Sequence, residues 1–394
     1  MAKANQRLAL CLSALLTAPT MAHAELLRPG LYRNDAGHLM YIGVENSQPD
    51  PPVNQYFDPK TQRMDDLRPG THLLLQTGIG EDRRVIDTPQ GPIGASLYYK
   101  DVGRRGAIIL IHGNDPETRD MGFLIPYFVL NGINVISFDQ RGTGDSSGNW
   151  QQNGPAQRAI DAEALYDAFA ADARIDAKKV GIWAFSNGGW TAPIIATERP
   201  LAFMILKSAP AESIEANVYY SVEQRMRHKN HDAASVAAAI DTWHTIFGAL
   251  AGKTSWEDVR AKYTAASSKP WFSDSLIPFF FSSAAALPPP ADVTDGMRRE
   301  ILYDPGEILQ KVRTPTLALF GAYDRNVDIA FSIPRYRAAF HAAKQDFTLH
   351  IYKNAGHTLK VSTNGFDDSE PERLTAGYPQ IMLQWLRRRG FLHH

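Results

Sequence analysis

Cysteine is almost missing from this chain: of its 394 residues only one, Cys11, is a cysteine. It falls in the first 24 residues, which open on Lys3 and Arg7, continue as a short apolar run over residues 8–16, and close on Ala22-His23-Ala24 before Glu25. That order is the pattern of a cleavable secretory signal cut after Ala24. Leu10 precedes Cys11 where lipid attachment calls for a small residue, so the cysteine reads as part of the discarded signal. The mature chain then has none, which excludes disulfides, cysteine nucleophiles and thiolate metal sites. Export without disulfides suits a secreted or periplasmic protein.

Long hydrophobic runs are also lacking. No segment after the signal sustains the roughly 20 apolar residues of a membrane helix, so no membrane anchor is expected. Nor is there an excess of charge: 41 Lys and Arg stand against 42 Asp and Glu. Removing the signal takes Lys3 and Arg7 and leaves 39 basic residues, a net −3. Such a balance gives no electrostatic pull toward nucleic acid or an anionic membrane. With 44% hydrophobic and 21% charged residues and no internal repeat, the chain reads as a globular protein with material for one or two domains.

Residues 25–92 are rich in Pro, Gly, Asp and Asn, with β-like pieces such as HLMYIGV and HLLLQTG, and read as a small β-rich leader. From GASLYYK onward, short apolar runs alternate with helical patterns: AIILIHG, NVISFD, KVGIWAF, AFMILKSA, PTLALFG and FTLHIYKNAGH. Parallel strands need crossovers and become buried on both faces, so this alternation predicts a mostly parallel α/β sheet with helices on both sides. The α/β core is expected over residues 93–209 and 312–394. Between them, in residues 210–311, the alternation stops. Val236, Ile240, Trp243, Phe247 and Leu250 recur at steps of four and three, one face of a helix. SWEDVRAKYTAAS and DGMRREILYD predict further helices, with Trp271, Phe272, Phe279, Phe280 and Phe281 between them. The insertion is expected to form a helical cap whose aromatics either pack its own core or favour an apolar substrate portion.

In WAFSNGG, Ser186 follows a strand pattern, with Ala184 and Gly188 two positions to either side. Small residues there let a strand-turn-helix elbow approach its neighbours. A serine hydroxyl needs a base within reach and a third group to orient that base. Of the twelve histidines, His357 sits in a loop after the last strand pattern, whereas His350 lies within it and His228 and His231 fall in a polar segment read as solvated surface. Asp324 follows Phe320 by four residues after a sharp Gly321 exit; Asp328 is the alternative acid. Oxyanion donors are expected from the backbone N–H groups of Asn114, after His112-Gly113, and of Asn187, after the serine.

His112-Gly113, FDQRGTGDSSG over residues 138–148, the Ser186 elbow, Asp324 and His357, in that order, resemble the α/β-hydrolase superfamily of serine hydrolases over roughly residues 94–390. The resemblance implies an α/β-hydrolase fold, an eight-stranded-type sheet, and a Ser186–Asp324–His357 triad needing no metal or organic cofactor. DQRGTGDS is similar to the segment of proline iminopeptidases and related serine aminopeptidases. Their usual oxyanion loop is His-Gly-Gly-Pro-Gly, from which His112-Gly113-Asn114-Asp115-Pro116 departs. Asp139 and Arg141 are expected to tie down the loop beneath the site. The leading expectation is a secreted esterase or related acyl hydrolase acting on a small molecule or short peptide. An aminopeptidase would instead need a cap carboxylate for the substrate amine, from Glu212, Glu215 or Glu223, otherwise read as solvated. A non-catalytic binding protein on the same fold is the third possibility.

Overall fold

The computed structural model describes residues 26–47, 51–68, 70–287, 295–366 and 373–392. The expected signal, residues 1–24, lies outside them. The described chain opens with five strands, β1 (Gly30–Asn34), β2 (Leu39–Ser47), β3 (Val53–Asp58), β4 (Arg63–Asp66) and β5 (Leu73–Gly78), in an antiparallel sheet ordered β4-β3-β2-β1-β5. A second sheet takes β6 (Gly80–Ile86), β7 (Ile93–Tyr99) and β8 (Arg105–Ile111). The next strand, β9 (Glu117–Met121), returns to the first sheet and pairs antiparallel with β2. β10 (Asn134–Phe138), β11 (Ile175–Phe185), β12 (Met204–Lys207), β13 (Thr316–Gly321) and β14 (Phe347–Tyr352) complete the second sheet, ordered β14-β13-β12-β11-β8-β10-β7-β6. Its links from β10 to β14 are parallel, while β7 runs antiparallel to both β10 and β6.

The leader therefore ends near Gly78, not at residue 92. β6 pairs with β7 along its whole length and belongs to the α/β sheet. Its sequence, GEDRRVI, alternates exposed with half-buried residues because it is an edge strand, so it lacks the apolar run that marks the central strands.

Strand alternation explains why the central runs are apolar throughout. On β8, Ala107, Ile109 and Ile111 face one core layer while Ile108 and Leu110 face the other. The first layer is covered by α2 (Pro155–Ala170), α3 (Gly188–Glu198) and α10 (Ile329–Ala342), and the second by α1 (Leu124–Leu130) and α11 (Tyr378–Arg388). Between β12 and β13 lie α4 (Ile214–His228), α5 (Ala233–Leu250), α6 (Trp256–Ser267), α7 (Ile277–Phe280), α8 (Asp295–Ile301) and α9 (Gly306–Lys311). α4 to α7 share a separate core around Val222, Trp243, Phe247 and Trp271. Phe279 and Phe280 remain exposed, and Phe279 meets Trp150 of the main domain at a ring distance of 6.2 Å.

An ion-pair network clamps the edge strand β6 to the turn that enters β11. Asp172, 7% exposed, is bonded by Arg174 and Arg84, and Arg174 reaches Asp82 on β6 at 2.5 Å. The Arg174 hydrogen bonds hold the Asp172 carboxyl well below the usual carboxylate range, against an opposing push from burial. A depressed carboxyl contributes stability that is fully present above the unfolded value of about 3.9 and is lost as pH falls toward the folded value. Asp172→Asn is thus expected to cost about 1 kcal/mol at pH 7, with the gap from wild type closing below pH ~4. Urea unfolding of both proteins at pH 7 and pH 3 reads this directly; a constant gap would contradict it.

Candidate active site

β11 ends at Phe185 and α3 begins at Gly188, so the chain must reverse within two residues. Ser186 takes this bend at φ +50°, a left-handed conformation costing an L-residue about 1–2 kcal/mol. The surroundings hold it there: its N–H donates to the Lys207 carbonyl at 3.0 Å and its carbonyl accepts from Gly189 N–H at 2.8 Å. A Cβ on Gly188 would stand 2.7 Å from the His112 carbonyl oxygen, and one on Gly189 2.2 Å from Ala209 Cβ. Only glycine fits either place. Ala184 is fully buried between the strand and its covering helices, and its methyl group is accommodated there.

The structure brings Ser186, His357 and Asp324 together from the carboxyl ends of three strands. Ser186 Oγ lies 2.9 Å from His357 Nε2, and His357 Nδ1 lies 2.9 and 3.0 Å from the two oxygens of Asp324. A carboxylate accepts hydrogen bonds, which assigns the proton to Nδ1 and leaves the Nε2 lone pair facing the hydroxyl. Asp324 is 2% exposed, and its Oδ1 also accepts the backbone N–H groups of Asn326 and Val327 at 2.9 Å each. Asp328 does something else: it caps α10 by accepting from the N–H groups of Ala330 and Phe331. His350 packs on Tyr352 along β14, His228 stacks on Phe366, and His231 pairs with Asp274 at 2.9 Å.

The loop after β8 lies against the elbow. A Cβ on Gly113 would come 3.6 Å from Ser186 Cβ, and Asn187 Nδ2 donates to Asn114 Oδ1 at 2.8 Å. Among the described residues, the backbone N–H groups of Asn114 and Asn187 have no acceptor of their own. Buried Arg158 fixes this loop by donating to the Gly113 carbonyl at 2.7 Å, and its guanidinium is pushed down to about 10 by burial. His112 is pinned between the Phe138 carbonyl at 2.6 Å and Glu117 at 2.9 Å. Beneath it Asp139 pairs with Arg119 and accepts from the N–H of Asp145, while Arg141 pairs with Asp161. Asp139 and Arg141 are buried and act as loop ties.

Residues 108–375 match the family described as Alpha/beta hydrolase family. The chain belongs to that family. No curated protein matches the sequence. In fold the hydrolase is similar to an esterase of Pyrococcus furiosus, at 15% identity over 79% of this chain and 91% of that one, with a TM-score of 0.50. It is also similar to an acylaminoacyl peptidase of Pyrococcus horikoshii, at 12% identity over 94% and 52% of the two chains, with a TM-score of 0.51. A puromycin-hydrolysing peptidase of Mycobacterium tuberculosis gives 15%, 90% and 46%, with a TM-score of 0.51. At these identities the likeness is one of fold.

Three features of the hydrolase escape a reading of its sequence. Glu212 is not a solvated helix acid: it precedes α4, is 2% exposed, and its carboxylate accepts from Ser332 Oγ, from Asn217 Nδ2 at 2.9 Å and from the backbone N–H of Asp328 at 3.2 Å. Burial raises its pKa. Glu215 bonds Tyr219 Oη at 2.6 Å and Glu223 pairs with Arg227 at 2.6 Å. Secondly, α4 is tied to the loop of Asp324: Tyr220 Oη donates to the Asp324 carbonyl at 3.1 Å, and Asn217 and Ser221 both donate to the Asn326 carbonyl at 2.8 Å.

Thirdly, Ser208, fully buried at φ +47°, donates from Oγ to the His357 carbonyl at 2.6 Å. Removing that hydroxyl leaves a buried carbonyl unpaired, a cost of about 1–3 kcal/mol, and loosens the imidazole's loop. Ser208→Ala is expected to lower kcat about tenfold with little change in KM. Steady-state kinetics separate this from general destabilisation, which would leave kcat per folded molecule unchanged.

Proposed function

We propose that the hydrolase is a secreted serine esterase, or cleaves a related acyl bond, through an acyl-enzyme on Ser186. The observation that carries this reading is the unbroken hydrogen-bonded line from Asp324 through His357 to Ser186 Oγ, held in the orientation that proton transfer requires. His357 Nε2 takes the hydroxyl proton as Oγ attacks the acyl carbon, and returns it to the leaving oxygen as the first bond breaks. The same nitrogen then draws a proton from water, whose oxygen attacks the acyl-enzyme and restores the free serine. Asp324 keeps the proton on Nδ1 and stabilises the imidazolium. Charge on the tetrahedral oxygen is met by the backbone N–H groups of Asn114 and Asn187, which have no competing acceptor among the described residues.

The peptidase alternative has less support in the cap. Glu212, Glu215 and Glu223 are all engaged by neighbouring side chains, so none is presented as a free anchor for a substrate amine. The exposed pair Phe279 and Phe280 favours an apolar portion in the substrate. Export with cleavage after Ala24 belongs to the same proposal and rests on the composition of residues 1–24. A neutral fluorophosphonate should label Ser186 once per folded chain, and p-nitrophenyl acetate should be turned over. Ligand binding without labelling would favour a non-catalytic role, and turnover of aminoacyl nitroanilides without esters would favour the peptidase.

A further inference from the structure

The first cap helix, α4, has two faces that do different work. Val218, Val222 and Met226 are buried in the cap's own core. Asn217, Tyr220, Ser221, Gln224 and His228 recur at steps of three, one, three and four, which gathers them on another face. That face is polar, and it lies on the loops that carry the triad. Gln224 Oε1 accepts from Arg325 Nη1 at 3.2 Å, and His228 stacks on Phe366 at a ring distance of 4.0 Å. The other three bond the backbone of Asp324 and Asn326.

One peptide unit carries this contact to the catalytic acid. The carbonyl of Asn326 and the N–H of Val327 belong to the same planar group, so the direction of one sets the direction of the other. The N–H end donates to Asp324 Oδ1 at 2.9 Å. The carbonyl end accepts from Asn217 Nδ2 and from Ser221 Oγ, both at 2.8 Å, which occupies its two lone pairs. Two donors on the carbonyl also polarise the unit and strengthen its N–H as a donor. Asn217 is itself held, because its amide also donates to Glu212 Oε1 at 2.9 Å, and the same oxygen accepts the Asp328 N–H at 3.2 Å. Tyr220 Oη fixes the near end of the loop at the Asp324 carbonyl, 3.1 Å away. Water could satisfy the carbonyl of the exposed Asn326 equally well, but it would not hold the peptide at one angle. The angle matters because Asp324 meets His357 Nδ1, at 2.9 and 3.0 Å, through the carboxylate that this N–H aims.

We infer that Asn217 and Ser221 are positioning residues of the hydrolase. Through the peptide between Asn326 and Val327 they orient Asp324, and so make the first cap helix part of the support on which proton transfer at Ser186 depends. The inference rests on the proposed serine chemistry and adds to it that the cap sets the rate of the chemical step, besides covering the strand ends.

Asn217→Ala/Ser221→Ala removes both donors and leaves the carbonyl to water, so the chain is expected to fold with little loss of stability. Per folded molecule, labelling by a neutral fluorophosphonate and kcat on p-nitrophenyl acetate are expected to fall about tenfold, with KM little changed. Asn217→Ala/Ser221→Thr, which keeps the hydroxyl, should regain most of that rate. Val222→Ala, in the buried cap core, is the control: it should cost more stability than the double variant and yet label at the wild-type rate. The far-downfield proton resonance of His357 Nδ1 should move in the double variant and stay in place in Val222→Ala. Wild-type rates in the double variant, or equal slowing in Val222→Ala, would overturn the positioning role alone. Should the double variant not fold, Ser221→Ala carries the same test with a slowing of about threefold, and unchanged labelling would overturn the role. A wild type that is neither labelled nor active would overturn the serine chemistry and the positioning role with it.

Discussion

Ser186→Ala is expected to lower kcat/KM for any substrate of the hydrolase by about 10⁴-fold or more, while leaving the fold intact. The loss is that large because His357 and Asp324 can move a proton only to and from a nucleophile, and the alanine methyl supplies none. The fold should survive because, among the described residues, the hydroxyl's one side-chain partner is His357 Nε2, and the backbone bonds that hold the bend run through the N–H and carbonyl of residue 186. Alanine meets the same left-handed cost at φ +50° that serine already bears. Kinetics and thermal unfolding on one preparation check both halves. Retention of more than about 1% of activity by a pure variant would place the nucleophile elsewhere.

Asp324→Asn should be nearly as damaging, about 10⁴-fold in kcat, for a different reason. An asparagine that keeps its oxygen on the N–H groups of Asn326 and Val327 turns its amide donor toward His357 Nδ1. The imidazole must then accept at Nδ1 and carry its proton on Nε2, where it cannot take the serine's. Because the two backbone bonds persist, stability should change by only about 1 kcal/mol. Labelling of Ser186 by a fluorophosphonate should slow in step with kcat. A variant within tenfold of wild type would mean that the imidazole is oriented by some other group.

The elements legible in the sequence are those whose signal is local. An apolar run such as AIILIHG is a strand because every residue of it is buried on one face or the other, and the elbow is readable because small residues crowd around one serine. Asp324 and His357 were accessible through chain order and their places after strand patterns. What stayed hidden depends on partners far along the chain. Glu212 looks like any acid before a helix until Ser332 and Asp328 close over it, 120 and 116 residues later. Ser208 is one polar residue among many until it meets the carbonyl of His357. β9, with the sequence ETRDM, has no strand pattern of its own; the free edge of β2 makes it one.

That last strand ends the leader's independence. β9 begins two residues after Asp115, and hydrogen bonds at both its ends reach the first sheet: Thr118 Oγ1 donates to the Asn46 carbonyl at 3.2 Å, and just past the strand Gly122 N–H donates to the Val44 carbonyl at 2.8 Å. A minimal enzyme trimmed to begin at β6 would unzip the support of the loop that carries Asn114. Engineers seeking a shorter scaffold, or a swap of this module between relatives, must carry both halves of the seam together.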